Sequence, residues 1–177
     1  MDIQLKNIVL IGFMGSGKTA VGKLLAERLG YKFIDTDEII ERSEGKSISS
    51  IFNEEGEQRF REIEIRIVRE LSGLKRHVIS TGGGIVTNRE NISNLKKDGL
   101  VIWLKAAPET IFKRVSSKTH RPLLNVENPH ETIKKLLTFR EPLYAEADIS
   151  VETDRLEVEK IADVIIMAYD KMSGVRS

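Results

Sequence analysis

The segment "NIVLIGFMGSGKTAVGKLLAERLG", Asn7 to Gly30, constrains the fold more than any other stretch. An apolar run, Ile8 to Ile11, passes straight into a glycine loop. A segment with Val21, Leu24, Leu25 and Leu29 on one helical face follows. This layout predicts a buried strand, a tight loop and a helix stopped at Gly30. The loop itself, "GFMGSGKT" from Gly12 to Thr19, satisfies G-x-x-x-x-G-K-[ST] in the strand-then-helix context that the pattern requires. Its glycines let successive backbone N–H groups curl around phosphate oxygens, and the helix N-terminus adds a favourable potential. Lys18 supplies a mobile charge for the β and γ phosphates, and the Thr19 hydroxyl can ligate Mg²⁺. A nucleoside triphosphate site is expected.

Four more short apolar runs, "YKFID", "HVIS", "GLVIWL" and "DISVET", read as strands separated by segments of helical period. A helix is expected from Glu38 and a longer one from Ser47 or Ser49 to about Ser72, striped by Phe60, Ile63, Ile67 and Leu71. "NRENISNLKK" and "PETIFKRV" are helical, as is "HETIKKLLTFREPLY" until Pro142 ends or kinks it, and Leu156 to Met172 closes the chain. Strands alternating with helices imply an α/β fold: a five-stranded parallel sheet, right-handed crossovers and helices on both faces. All 177 residues are expected to form one domain.

The composition narrows the partners. A net charge of +1 calls for neither nucleic acid nor an anionic membrane. The absence of cysteine excludes disulfides, thiolate metal sites and a cysteine nucleophile, and fits a reducing cytoplasm. The N-terminus lacks a signal-peptide layout, and no stretch approaches the roughly 20 apolar residues that span a bilayer.

In parallel sheets the ligand sits beyond the carboxyl ends of the strands. Three unusual features fall there: the glycine loop, Asp35 and Asp37 after the second strand, and "TGGG", Thr81 to Gly84, after the third. Two carboxylates one residue apart repel unless a cation or proton donor lies beside them. The competing reading makes Asp37 the N-cap of a helix starting at Glu38. "TGGG" admits a ligand close to backbone, although a glycine triplet also makes a plain tight turn. Arg140 interrupts the stripe Ile133, Leu137, Tyr144, and Arg61 flanks its own stripe with Glu64 at i+3. Either arginine could close an internal salt bridge; together, beside "TGGG", they favour a carboxylate clamp. Arg121 lies in the polar stretch "SSKTHRPLLNVENP", expected to act as a lid over about 116–129, and could stabilise charge on a transferred phosphoryl group. No N-K-x-D guanine motif is present, so a kinase is favoured over a GTPase.

"GFMGSGKT", "DTDEIIE", "SISSIFNEEGEQRFREIE", "TGGGIV", "RPLL", "FREPLY" and "VETDR" span nearly the whole chain, and together they closely resemble the shikimate kinase family. The resemblance implies a nucleoside-monophosphate-kinase-like P-loop fold in three layers with a lid. It implies ATP-dependent, Mg²⁺-assisted phosphorylation of the 3-hydroxyl of shikimate in aromatic amino-acid biosynthesis, by a cytoplasmic monomer. Gly15, Ser16, Gly17, Lys18, Thr19 and Ala20 would then bind the phosphates, and Arg114 and Arg155 would flank the adenine. Thr19, and Asp35 through water, would serve the metal. Asp37 would take the substrate hydroxyls, while Arg61, Arg140 and the Gly83 backbone would hold the carboxylate. Phe52 and Phe60, on the substrate-binding helices of about 36–72, would line the ring pocket. Lys18, Asp37 and the lid residue Arg121 would be catalytic. The chain departs from the pattern at Ala20, where a hydroxyl is common, and at "SKTH" before Arg121. The alternatives are another carboxylate kinase, such as a gluconate kinase, and a nucleotide-binding module without phosphoryl transfer.

Overall fold

The computed structural model describes residues 6–117 and 126–174. Five parallel strands form one sheet: β1 (Asn7–Ile11), β2 (Lys32–Asp35), β3 (His77–Ser80), β4 (Gly99–Lys105) and β5 (Ile149–Glu152). Their order is β2-β3-β1-β4-β5. β1 and β4 are apolar along both faces because helices cover the sheet on both sides, as parallel sheets require. Ile8 and Leu10 pack with Val21 and Leu25 of α1 (Lys18–Leu29) and with Ile161 and Ile165 of α7 (Val158–Ser173). Val9 and Ile11 belong to the opposite layer. That layer is built from α3 (Ile48–Leu71), α4 (Arg89–Asp98), α5 (Pro108–Ser116) and α6 (Pro129–Tyr144). The expected three-layer architecture is the one observed. Among the described residues no helix is long and apolar enough to cross a membrane.

The chain leaves β1 towards β2 and β3 on one side, then continues through β4 and β5 on the other. That reversal opens a crevice at the carboxyl end of β1, where doubly wound sheets place their ligands. The glycine loop emerges there.

Local chemistry shifts several expected boundaries. α2 (Thr36–Glu44) begins two residues earlier than expected, and its N-cap is Asp35, whose Oδ1 accepts from the Asp37 N–H at 3.0 Å. The cap reading of Asp37 is therefore corrected; its side chain is released from that duty. α3 is broken at Gly56 (φ 86°, ψ 169°), a conformation open to glycine. α6 runs two residues past Pro142 to Tyr144, so the proline stands within the last turn and the helix ends shortly after it. A single 3₁₀ turn, Ile85–Thr87, follows the glycine triplet. Arg121 and the central part of the expected lid lie outside the described residues.

Candidate active site

α1 starts without a side-chain cap. Its N-cap residue, Gly17, is left-handed at φ 96°, and the first N–H groups of the helix remain available to an anion. The loop runs hard against the end of β4: at Gly12 (φ 145°) a Cβ would lie 2.6 Å from the Leu104 carbonyl oxygen. Lys18 is buried across the loop, its Nζ donating to the carbonyl oxygens of Gly12 at 2.7 Å and Phe13 at 2.9 Å. Ser16 is buried as well, and its hydroxyl has no hydrogen-bond partner among the described residues.

A cavity of about 440 Å³ opens from this loop. Met14, Gly15, Gly17, Lys18, Thr19 and Ala20 form one wall, Asp35 and Asp37 a second, and Ser80 to Gly83 a third, with Arg114 at the rim. The three strand ends thus converge on one site, as expected. Arg114 donates to the carbonyl oxygens of Gly15 and Thr153, both at 3.2 Å, and so ties the phosphate loop to the chain after β5. Arg155 is exposed and does not line the cavity.

Asp35 uses both oxygens: Oδ1 caps α2, and Oδ2 accepts from the Thr19 hydroxyl at 3.4 Å. The two expected metal-side residues are therefore neighbours. Among the described residues, no group of three or more His, Asp or Glu forms an all-protein metal cage. Two hard oxygen donors beside a phosphate loop fit Mg²⁺, which fills most of its octahedron with water and phosphate oxygens.

The far end of the cavity is denser in charge. A Cβ on Gly82 would stand 2.8 Å from Asp37 Oδ1, and one on Gly84 would stand 2.5 Å from Arg61 Nη2. Charged side chains thus press on the backbone at Gly82 and Gly84, while at Gly83 a Cβ would stand 3.2 Å from the Met14 backbone nitrogen of the phosphate loop. The Gly82 N–H is itself held by the buried Thr36 hydroxyl at 3.1 Å. Behind it lies Glu64, 2% exposed, whose Oε2 accepts from Arg61 Nη1 at 2.6 Å. Its Oε1 finds no hydrogen-bond partner among the described residues. Burial pushes the Glu64 carboxyl up, against the opposing charge of Arg61. For Arg61, burial works downward, but the Glu64 and Glu57 carboxylates together outweigh it and the guanidinium stays charged.

Arg61 also reaches Glu57 at 3.2 Å and lies 5.2 Å from the Phe60 ring, which in turn packs on Phe52 at 4.7 Å. The internal salt bridge weighed for Arg61 is thus present. Arg140 differs. Its guanidinium sits 5.5 Å from the Phe13 ring, and its buried Nε makes no hydrogen bond among the described residues. Neither arginine lines the cavity; Arg61 lies against Gly84 and Arg140 against Phe13, each the chain neighbour of a lining residue. Sequence reasoning passed over Tyr144, which reads as one more apolar residue in the α6 stripe, yet its hydroxyl donates to the Gly83 carbonyl at 2.5 Å. Thr36 was also missed, and only its place between two aspartates hinted at a role.

The shikimate kinase family model matches residues 14–170. A shikimate kinase of Thermodesulfovibrio yellowstonii is 52% identical over 170 residues, covering 96% of this chain and 98% of its own. A structure of shikimate kinase from Acinetobacter baumannii, in complex with shikimate, superposes with a TM-score of 0.88 at 42% identity. It covers 93% of this chain and 92% of that one. A gluconokinase from Sinorhizobium meliloti superposes at 0.63 with 18% identity, over 97% of this chain and 95% of its own, which is likeness of fold alone. Matched over nearly its whole length in sequence and in backbone, the chain belongs to the shikimate kinase family.

Proposed function

We propose that this chain transfers the γ-phosphoryl group of ATP to the 3-hydroxyl of shikimate, releasing ADP and shikimate 3-phosphate. One observation carries the reading: a single cavity joins an uncapped phosphate loop to Asp37 and the glycine triplet, with two guanidinium groups just beyond. The triphosphate would lie along Gly15 to Ala20, its oxygens taking the N–H groups that no cap occupies. Lys18 would exchange its loop carbonyls for the β and γ phosphates. Arg114, fixed at the rim, would meet the nucleotide, with Arg155 further out on the adenine side. At the other end, Arg61, Arg140 and the Gly83 backbone would take the carboxylate of shikimate, and Phe60 with Phe52 would back the ring.

Asp37 accepts the hydrogen of the 3-hydroxyl and aims its oxygen at the γ phosphorus. The new P–O bond forms as the bond to the β-phosphate bridging oxygen breaks. Phosphoryl transfer passes through a loose transition state, so aim matters more than proton removal. Mg²⁺, held by Thr19 and on the Asp35 side through water, would neutralise charge on the phosphate oxygens. Arg121 would add positive charge on the transferred group. The reading takes 1–177 as one monomeric domain acting on small molecules, and the use of ATP supports the cytoplasm as its place of work.

The test is ADP release measured with shikimate, with gluconate and without acceptor. Release that depends on shikimate is expected. Dependence on gluconate would establish the rival kinase, and nucleotide binding with no ADP release under any condition would establish the nucleotide-binding module.

A further inference from the structure

Tyr144 closes α6 and is completely buried. Its ring stacks on Trp103 of β4, with centroids 5.7 Å apart and planes 23° from parallel, so packing by itself accounts for the place of the ring. The hydroxyl nonetheless reaches across to donate to the Gly83 carbonyl. Gly83 has no side chain of its own to anchor that backbone. One turn back along the same helix stands Arg140. α6 therefore carries one group expected on the substrate carboxylate, Arg140, and through the Tyr144 hydroxyl holds the backbone of the other, Gly83, far away in the chain. Burial raises the phenol to about 12, so its proton stays in place throughout the neutral range.

We infer that Tyr144 is a positioning residue for the substrate carboxylate, its hydroxyl keeping the Gly83 backbone in register with the Arg140 guanidinium. The inference rests on the shikimate reading above and assigns the Tyr144 hydroxyl no part in chemistry. Tyr144→Phe preserves the stack on Trp103 and removes only the hydroxyl.

The experiment compares wild type and Tyr144→Phe by calorimetric titration with shikimate and with shikimate methyl ester, beside steady-state ADP release. Loss of one neutral hydrogen bond predicts shikimate Kd and KM raised about fivefold. The ATP KM should stay the same, and the methyl ester should lose less than twofold, because its uncharged end cannot engage the clamp. Unchanged shikimate affinity overturns the inference. So does an equal loss for shikimate, ester and ATP, which marks a purely structural tyrosine. A wild-type protein that ignores shikimate in both assays overturns the functional reading, and this inference with it, before any variant is compared. Should the variant fail to fold, 3-fluorotyrosine is incorporated at the three tyrosines of the wild type. The Tyr144 fluorine signal should then shift with shikimate and not with ADP; no shift with shikimate overturns the inference.

Discussion

At the phosphate end of the cavity the groups that meet a ligand are mostly backbone. Just beyond its far end, charged side chains from α2 and α3 press on the glycine triplet, and Arg140 of α6 lies against Phe13. The phosphate end comes from one continuous stretch, Gly12 to Ala20, and its geometry follows from glycine conformation and an uncapped helix. The far end gathers Asp37, Arg61 and Glu64 around the glycine triplet, with Arg140 on Phe13 beside it, and it leaves Glu64 Oε1 and Arg140 Nε without hydrogen-bond partners among the described residues. Unmet buried groups cost stability, and of these two only the Arg140 Nε–H is a donor that an anion could take up. The contrast teaches that a phosphate site can be made by local folding, whereas a clamp for a specific acid must be assembled by packing.

The largest effect is expected at the backbone-built end. Lys18→Met removes the loop's cation while leaving its N–H groups, so kcat should fall about a thousandfold, with nucleotide still bound. A steady-state rate within tenfold of wild type would break the assignment of that end. Next comes the junction between the two ends. Asp37→Asn should lower kcat about a hundredfold at any Mg²⁺ concentration. Asp35→Asn should fold normally, since Asn caps as well as Asp, and should be partly rescued by raised metal. Mg²⁺ titrations of both variants check the division, and identical profiles would erase it.

The two arginines sharpen the comparison within the far end. Lys keeps the charge and loses the planar fork, so either substitution should raise shikimate KM about tenfold and leave ATP KM alone. Only Arg61→Lys should also lower stability, by about 1–2 kcal/mol in urea unfolding, because it disturbs the short bond to buried Glu64. Equal destabilisation by Arg140→Lys would show Arg140 to be a structural pair as well.

The smallest effect is on pH dependence. Burial holds the Glu64 carboxyl above its ordinary value of 4.5 in the folded chain. Between that value and the folded one the native state keeps a proton that the unfolded state has lost, so stability from this group declines as pH rises through the window. Glu64→Gln should flatten that decline in unfolding measured from pH 4 to 7; an unchanged slope would assign the titration to other carboxyls.

The sheet and the phosphate loop were legible because their signals are local. A buried strand announces itself by an apolar run such as "NIVLI", and the loop by glycines at fixed spacing before a helix. The boundaries of α2 were not, since Asp35 and Asp37 are equally good caps on paper and only the path of the chain out of β2 selects the first. Arg140 stood out because a guanidinium broke an apolar stripe, whereas Tyr144 fitted the stripe and concealed its hydroxyl.

The amino-acid sequence by itself determined the order of strands and helices, the phosphate-binding loop and the identity of the charged residues available to a carboxylate. Each of these follows from neighbours within a few positions. The tertiary structure alone decided that Glu64 takes up Arg61, that the buried Arg140 Nε meets no hydrogen-bond partner among the described residues, and that Tyr144 reaches Gly83. The Tyr144–Gly83 bond spans 61 positions, a contact that exists only once α6 has packed against the turn after β3. No local rule encodes such a contact. It depends on which helix faces pair across the sheet, and that pairing is settled by burial of the whole core.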